Sequence, residues 1–223
     1  MLAALAIIIV QWWRSGGMAD WMPVVVPFEA PDGEAAFRRW LDEDPDRPAT
    51  FARFEQFLQD EGVSGIVPAW QLMRVDAFYA RRCEEPPFAI PPEELWPNVV
   101  PALALVRDHV VETFGPVEVR SSWRSPQINV CARGASRSNH LDFAALDLGT
   151  ADRRRGADLY RELCEMQQRA GPGSAMGLGA YFRPDEPESG GGRFHIDAQG
   201  FRTWGRDYTS RSSPCPALTA GRG

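Results

Sequence analysis

The stretch Ser138-Asn139-His140-Leu141-Asp142-Phe143-Ala144-Ala145-Leu146-Asp147-Leu148 sets one of only three histidines in a 223-residue chain seven positions ahead of an aspartate. Its second half, from Ala144 into Gly149, is a short apolar run of the kind that forms a buried strand. A loop that returns into a strand brings His140 and Asp147 to one point. His195, inside "GRFHID", stands on a second short strand signal and can supply a third side chain. Imidazole nitrogen and carboxylate oxygen suit a divalent zinc ion, and a hydrolytic site needs three protein ligands with a fourth position open to water. His140, Asp147 and His195 are therefore candidate Zn2+ ligands. Spacing alone leaves an equal alternative, with His140 an ordinary loop histidine and Asp147 the cap of a following turn.

Working outward, the hydrophobic period changes along the chain. From Gly33 to Gly62, Phe37, Trp40, Leu41, Phe51, Phe54, Phe57 and Leu58 recur at helical spacing, which predicts two helices divided near Pro45 to Pro48. Further helices are expected from about Pro68 to Cys83 and from Pro101 to Gly115. After Pro116, "PVEVRSSWRS" alternates as a strand ending in a polar turn, and Pro126 to Cys131 can form one short helix. A helix capped by Asp152 is expected to run to about Arg169. The last third, "GLGAYF", "RFHID" and "FRTW", reads as short strands joined by glycine turns. This order predicts an α+β fold: a small antiparallel sheet with flanking helices, preceded by a helical N-terminal region. The expected division is an apolar segment over 1–20, a helical accessory region over 33–90, a catalytic domain over 91–209 and an irregular tail over 210–223.

Composition narrows the function. A net charge of -6, with no lysine cluster, argues against a nucleic-acid partner. The apolar run Leu2 to Val10 is too short for a stable membrane span. It has the length of a signal-peptide core but lacks a preceding basic residue; a buried strand, or a true start at Met18, are the other readings. Cys83, Cys131, Cys164 and Cys215 form no CxxC pair. They allow either two disulfides, in any of three pairings, or four buried thiols.

The run Ser138-x-His140 followed by Ala145-x-Asp147 resembles the SxHxxGxAxD signature of the D-Ala-D-Ala peptidase and Hedgehog-type zinc fold, peptidase family M15. Upstream, "SSWRSPQINVCARGASRSNH" is similar to the YRSxxxN segment of that family. Downstream, "GLGAYF...GGGRFHIDAQGFRTW" resembles the GxGxY...FxHxDxxGxRxW ending of a subset of its members. The resemblance spans roughly 96–208. It implies His140, Asp147 and His195 as zinc ligands, Arg124 as the residue holding an oxyanion or a substrate carbonyl or carboxylate, and Ser138 as a substrate contact or brace of the ligand loop. Asn129 and Gln127 are weaker supporting candidates. Phe143 stands where the signature has glycine, so the loop either changes conformation or is packed by the ring. Many relatives carry an acidic general base three residues before the last histidine, where this chain has Gly192; Asp197 is the best replacement, with an orienting role as its alternative. The implied function is zinc-dependent cleavage of peptide bonds in peptidoglycan stem peptides or cross-links, by a D,D-carboxypeptidase or endopeptidase in the periplasm or another extracytoplasmic space. A non-catalytic zinc-stabilised wall-binding module and a phage lysis enzyme are the competing readings.

Overall fold

The structure is a computed structural model that describes residues 30–186 and 190–220; the apolar segment over 1–20 lies outside them. The first two helices form where the aromatic period placed them, α1 over Glu34–Asp42 and α2 over Arg47–Asp60, with Phe37, Trp40, Phe51, Phe54 and Leu58 turned inward. The helix expected from Pro68 to Cys83 is instead two pieces, a 3-10 turn over Ala69–Met73 and α3 over Ala77–Arg82. The break follows from Asp76, whose side chain caps α3 by accepting from Phe78 N and Tyr79 N. It also follows from Arg74, buried and bonded to Asp32 O, Glu118 and Val119 O, which holds extended chain against the sheet edge.

A 3-10 turn over Glu93–Asn98 leads into α4 (Val99–Leu105), which continues through a π turn over Val106–Val111 into α5 (Glu112–Phe114). His109 lies on the π turn, away from the other two histidines. Strand β1 (Val117–Ser121), α6 (Pro126–Cys131), β2 (Ala145–Thr150), α7 (Gly156–Ala170), β3 (Gly177–Ala180), β4 (Phe194–Asp197) and β5 (Arg202–Trp204) follow. Helix α7 starts three residues later than the Asp152 cap predicts. The chain after β2 is held by Thr150 Oγ1, which accepts from Arg154 N at 2.8 Å, and Arg154 is drawn onto Glu162, so Asp152 does not reach the helix.

The sheet order is β1-β2-β4-β3-β5, antiparallel throughout except for the parallel pair β3 and β5. Alternation along the strands gives it two unlike faces. Leu146, Leu148, Leu178, Phe194 and Ile196 point into one buried cluster, which extends through α4 and α7 to the aromatic helices α1 and α2. Asp147, His195, Asp197 and Gly179 take the opposite phase. The helical N-terminal region therefore shares its core with the sheet. No helix among the described residues is long and apolar enough to cross a membrane.

Two disulfides settle the cysteine question. Cys83–Cys131 joins the chain after α3 to α6, and Cys164–Cys215 joins α7 to α8 (Cys215–Thr219). The tail, expected to be irregular, thus carries a short helix as far as Thr219, tethered by a bond whose partner lies 51 residues away.

Phe143 resolves its two alternatives in an unexpected combination. Its φ is +55°, the left-handed backbone open to glycine, and its ring is fully buried beside Phe54 at 6.1 Å. The loop keeps a glycine-like conformation and anchors to the core as well. Phe143→Ala is expected to cost about 3–5 kcal/mol of folding stability. Phe143→Gly should cost about 1 kcal/mol less than that, because it relieves the left-handed strain. Denaturant unfolding of the two variants checks the order; alanine proving the milder change would contradict this account of the backbone.

Candidate metal centre

Asp147 on β2 and His195 on β4 are direct cross-strand partners, so the antiparallel register alone sets their side chains next to each other. His140 reaches them from the loop before β2. Its position is fixed by two contacts with the segment after β1: Arg124 N donates to His140 O at 2.9 Å, and His140 Nδ1 bonds Ser122 O. A carbonyl can only accept, so Nδ1 carries the proton and Nε2 presents a lone pair. On His195 the outer nitrogen Nε2 faces the Asp197 carboxylate at 3.0 Å, which turns Nδ1 inward.

The three sequence-predicted ligands therefore meet. His140 Nε2 lies 3.1 Å from His195 Nδ1 and 3.2 Å from Asp147 Oδ2, and His195 Nδ1 lies 3.1 Å from Asp147 Oδ1. A tetrahedral zinc site with bonds of roughly 2.0–2.1 Å has ligand-to-ligand edges of about 3.3 Å. The donor set fits such an ion in chemistry and spacing, and all three residues are buried. Burial, assisted by Arg124, pushes the His140 imidazole down to about 4. Burial would raise the Asp147 carboxyl, but Arg193 and His140 hold it well below the usual carboxylate range. For His195, burial is outweighed by its bonds to Asp147 and Asp197, which raise it.

Glycines make room for this cluster. A Cβ at Gly179 would lie 2.9 Å from both His195 Cβ and Trp204 Nε1, and one at Gly177 would lie 2.5 Å from Asp197 Oδ1. The "GLG" of β3 leaves the space into which the site residues of β4 lean. Trp204 closes that side, its ring 5.1 Å from His195.

The remaining predicted residues fall in distinct places. Arg124 is buried, donates through Nη2 to Asp147 Oδ2 at 2.7 Å, and keeps a buried Nε with no partner. Ser138 lines the pocket above the cluster. Asn129 instead braces the loop before His140 by donating to Ala135 O, and Gln127 is exposed. Asp197 is fully buried behind the His195 ring, with both oxygens engaged: Oδ1 accepts from Gln199 N and Arg202, and Oδ2 from Asn139, Arg202 and His195. Those bonds outweigh burial and hold its carboxyl below the usual range. Of three loop acids whose place in the sequence would let them reach in, Asp185 and Glu186 pair with Arg183, outside the site, and Glu188 lies outside the described residues.

The sequence reading missed Arg193. Its guanidinium bridges Asp147 and Asp76, and this joins the α3 cap to the metal cluster. It stands one residue before β4, and its sequence position alone does not show which charge its side chain meets. Gly192, where many relatives are acidic, has φ +82°, and a Cβ there would lie 2.4 Å from Arg154 O. This backbone has no room for a side chain at that position.

Residues 80–177 match the family model described as Peptidase M15, a stretch that includes His140 and Asp147 but ends before His195. No curated protein and no solved structure matches the chain. The match supports an M15-like peptidase family, and the His-Asp-His cluster fits the metal dependence of those enzymes.

Two outcomes follow from the geometry. Asp197→Asn, which weakens the orientation of His195, should reduce zinc affinity by about 10–100-fold in a chelator competition titration; unchanged affinity would remove Asp197 from this role. Gly192→Glu should lower folding stability by about 1–3 kcal/mol in denaturant unfolding, and an unaltered midpoint would contradict the close packing on Arg154 O.

Proposed function

We propose that this M15-like chain is a zinc-dependent peptidase that cleaves peptide bonds in peptidoglycan stem peptides or cross-links, outside the cytoplasm. The observation that carries the reading is the convergence of two imidazole lone pairs and one carboxylate within about 3.2 Å in a buried corner of an open pocket. Two neutral imidazole nitrogens and a carboxylate converging at that spacing form a donor set suited to a divalent cation. Zinc held by His140, Asp147 and His195 would supply a Lewis-acid charge that polarises a scissile carbonyl and lowers the pKa of water.

The chain's own residues supply the rest. Arg124 lines the pocket, where its guanidinium would stabilise the oxygen on which charge develops during attack, while its Nη2 keeps it fixed against Asp147. The Tyr181 phenol lines the same pocket; burial and the nearby Asp147 charge raise its pKa, so it is a neutral hydroxyl that can donate to substrate. Ser138 lies where it can bond a substrate backbone. Asp197 acts as a positioning residue through His195. The two disulfides fit an oxidising, extracytoplasmic setting.

One observation favours a second reading. Among the described residues, Asp197 is the only carboxylate side chain lining the pocket, and its oxygens are already bonded. A zinc-stabilised module that binds wall peptides without cutting them needs no free base. Mass analysis of muropeptides incubated with zinc-loaded protein separates the two readings. The peptidase reading expects cleavage that is lost in His140→Ala and falls about 10²–10³-fold in Arg124→Gln. Intact pentapeptide, tetrapeptide and cross-linked fragments, bound but uncut, would select the binding module.

A further inference from the structure

The pocket over the metal cluster, of about 550 Å³, is lined by five arginines, Arg124, Arg137, Arg193, Arg202 and Arg206, against the single carboxylate of Asp197. This concentration is local, because the chain as a whole carries a net charge of -6. Three of the five have partners: Arg124 on Asp147, Arg193 on Asp147 and Asp76, and Arg202 on Asp197. Arg137 and Arg206 have no carboxylate partner among the described residues, and both are exposed.

These two come from separate segments. Arg137 stands immediately before Ser138 in the loop that delivers His140, and Arg206 stands two residues beyond Trp204, past the end of β5. The loops converge on the same pocket from the two sides of the sheet order. The Arg206 charge also reaches the phenol of Tyr160, a pocket residue whose hydroxyl donates to Arg193 O. Two exposed guanidiniums without a carboxylate partner, lining a pocket whose other arginines are paired, form a site for anionic groups flanking the reacting bond. A planar guanidinium donates two parallel N–H bonds to a carboxylate, so its preference is for carboxylate over carboxamide rather than for polarity in general.

We infer that Arg137 and Arg206 make the pocket selective for acidic peptides, those bearing side-chain carboxylates in addition to any carboxylate at the cleaved end. This rests on the peptidase reading for its kinetic form, but the recognition itself does not need cleavage. An amidated peptide of the same sequence lacks the matching charge and is the poorer ligand.

The test uses the full zinc-loaded chain and two synthetic stem-type pentapeptides with the same free C-terminus, one with side-chain carboxylates and one with carboxamides in their place. The wild-type protein should have a KM for the acidic peptide about twentyfold lower, a preference that shrinks as salt is raised to about 0.5 M. Arg137→Gln and Arg206→Gln should each raise that KM about fivefold with kcat little changed, and leave the carboxamide peptide unaffected. Equal handling of the two peptides by wild type, or equal losses on both in the variants, overturns the proposal. If neither peptide is cut, calorimetric titration of the same pair decides. Tighter binding of the acidic peptide, lost in the double variant, upholds the selectivity while the peptidase reading falls. Equal affinities, or no binding of either, overturn the selectivity itself.

Discussion

Two imidazole nitrogens and a carboxylate, held about 3.1–3.2 Å apart in a buried corner, are the constraint around which the rest of the molecule is arranged. Burying these groups is tolerable because each is bonded and oriented from behind. The orientation comes from the main chain and from charge. Ser122 O fixes the His140 tautomer, Asp197 fixes His195, and Arg124 and Arg193 neutralise Asp147. Each orienting residue is itself held. Asp197 is gripped by Arg202 and Asn139, Arg193 by Asp76, and Asp76 also starts α3.

The sheet does the positioning because its two faces have separate tasks. Odd and even positions of β2 and β4 divide between Leu146, Leu148, Phe194 and Ile196 in the core and Asp147, His195 and Asp197 at the site. A one-residue slip would bury the ligands in the apolar cluster and expose the leucines, so core packing and metal geometry demand the same register. Phe143 makes the same link at the ligand loop. Its ring fills core space beside Phe54 while its backbone adopts the left-handed turn that returns the chain into β2. The aromatic helices α1 and α2 thereby support the loop that carries His140.

Much of this was legible in the sequence, and the failures have physical causes. The period of the aromatics located α1 and α2, the two-residue alternation located the strands, and the candidate His-Asp-His set came from ligand chemistry, which alone left an equal alternative, together with the M15 resemblance. The break at Arg74 was not legible, because local periodicity continues through it and the interruption comes from tertiary bonds to Glu118 and Val119. Helix α8 escaped notice because five residues carry no period; its tether to Cys164 becomes visible only in three dimensions. Arg193 reads as an ordinary polar residue until the fold brings its guanidinium onto Asp147. Gly192 reads as a missing acid, whereas the structure shows a backbone with no space for a side chain. The candidate ligands were thus nameable from residue type and motif, and the charges that orient them were not, since those depend on which elements meet in the fold.

The proposed function requires a single zinc ion held by His140 Nε2, an oxygen of Asp147 and His195 Nδ1. The most direct measurement is anomalous diffraction at the zinc edge from crystals of the zinc-loaded protein. The account predicts one strong anomalous peak within about 2.0–2.2 Å of those three atoms, with Asp197 still bonded to the opposite nitrogen of His195. A peak on the Asp197 side of the ring, or none among these residues at full zinc loading, would contradict it.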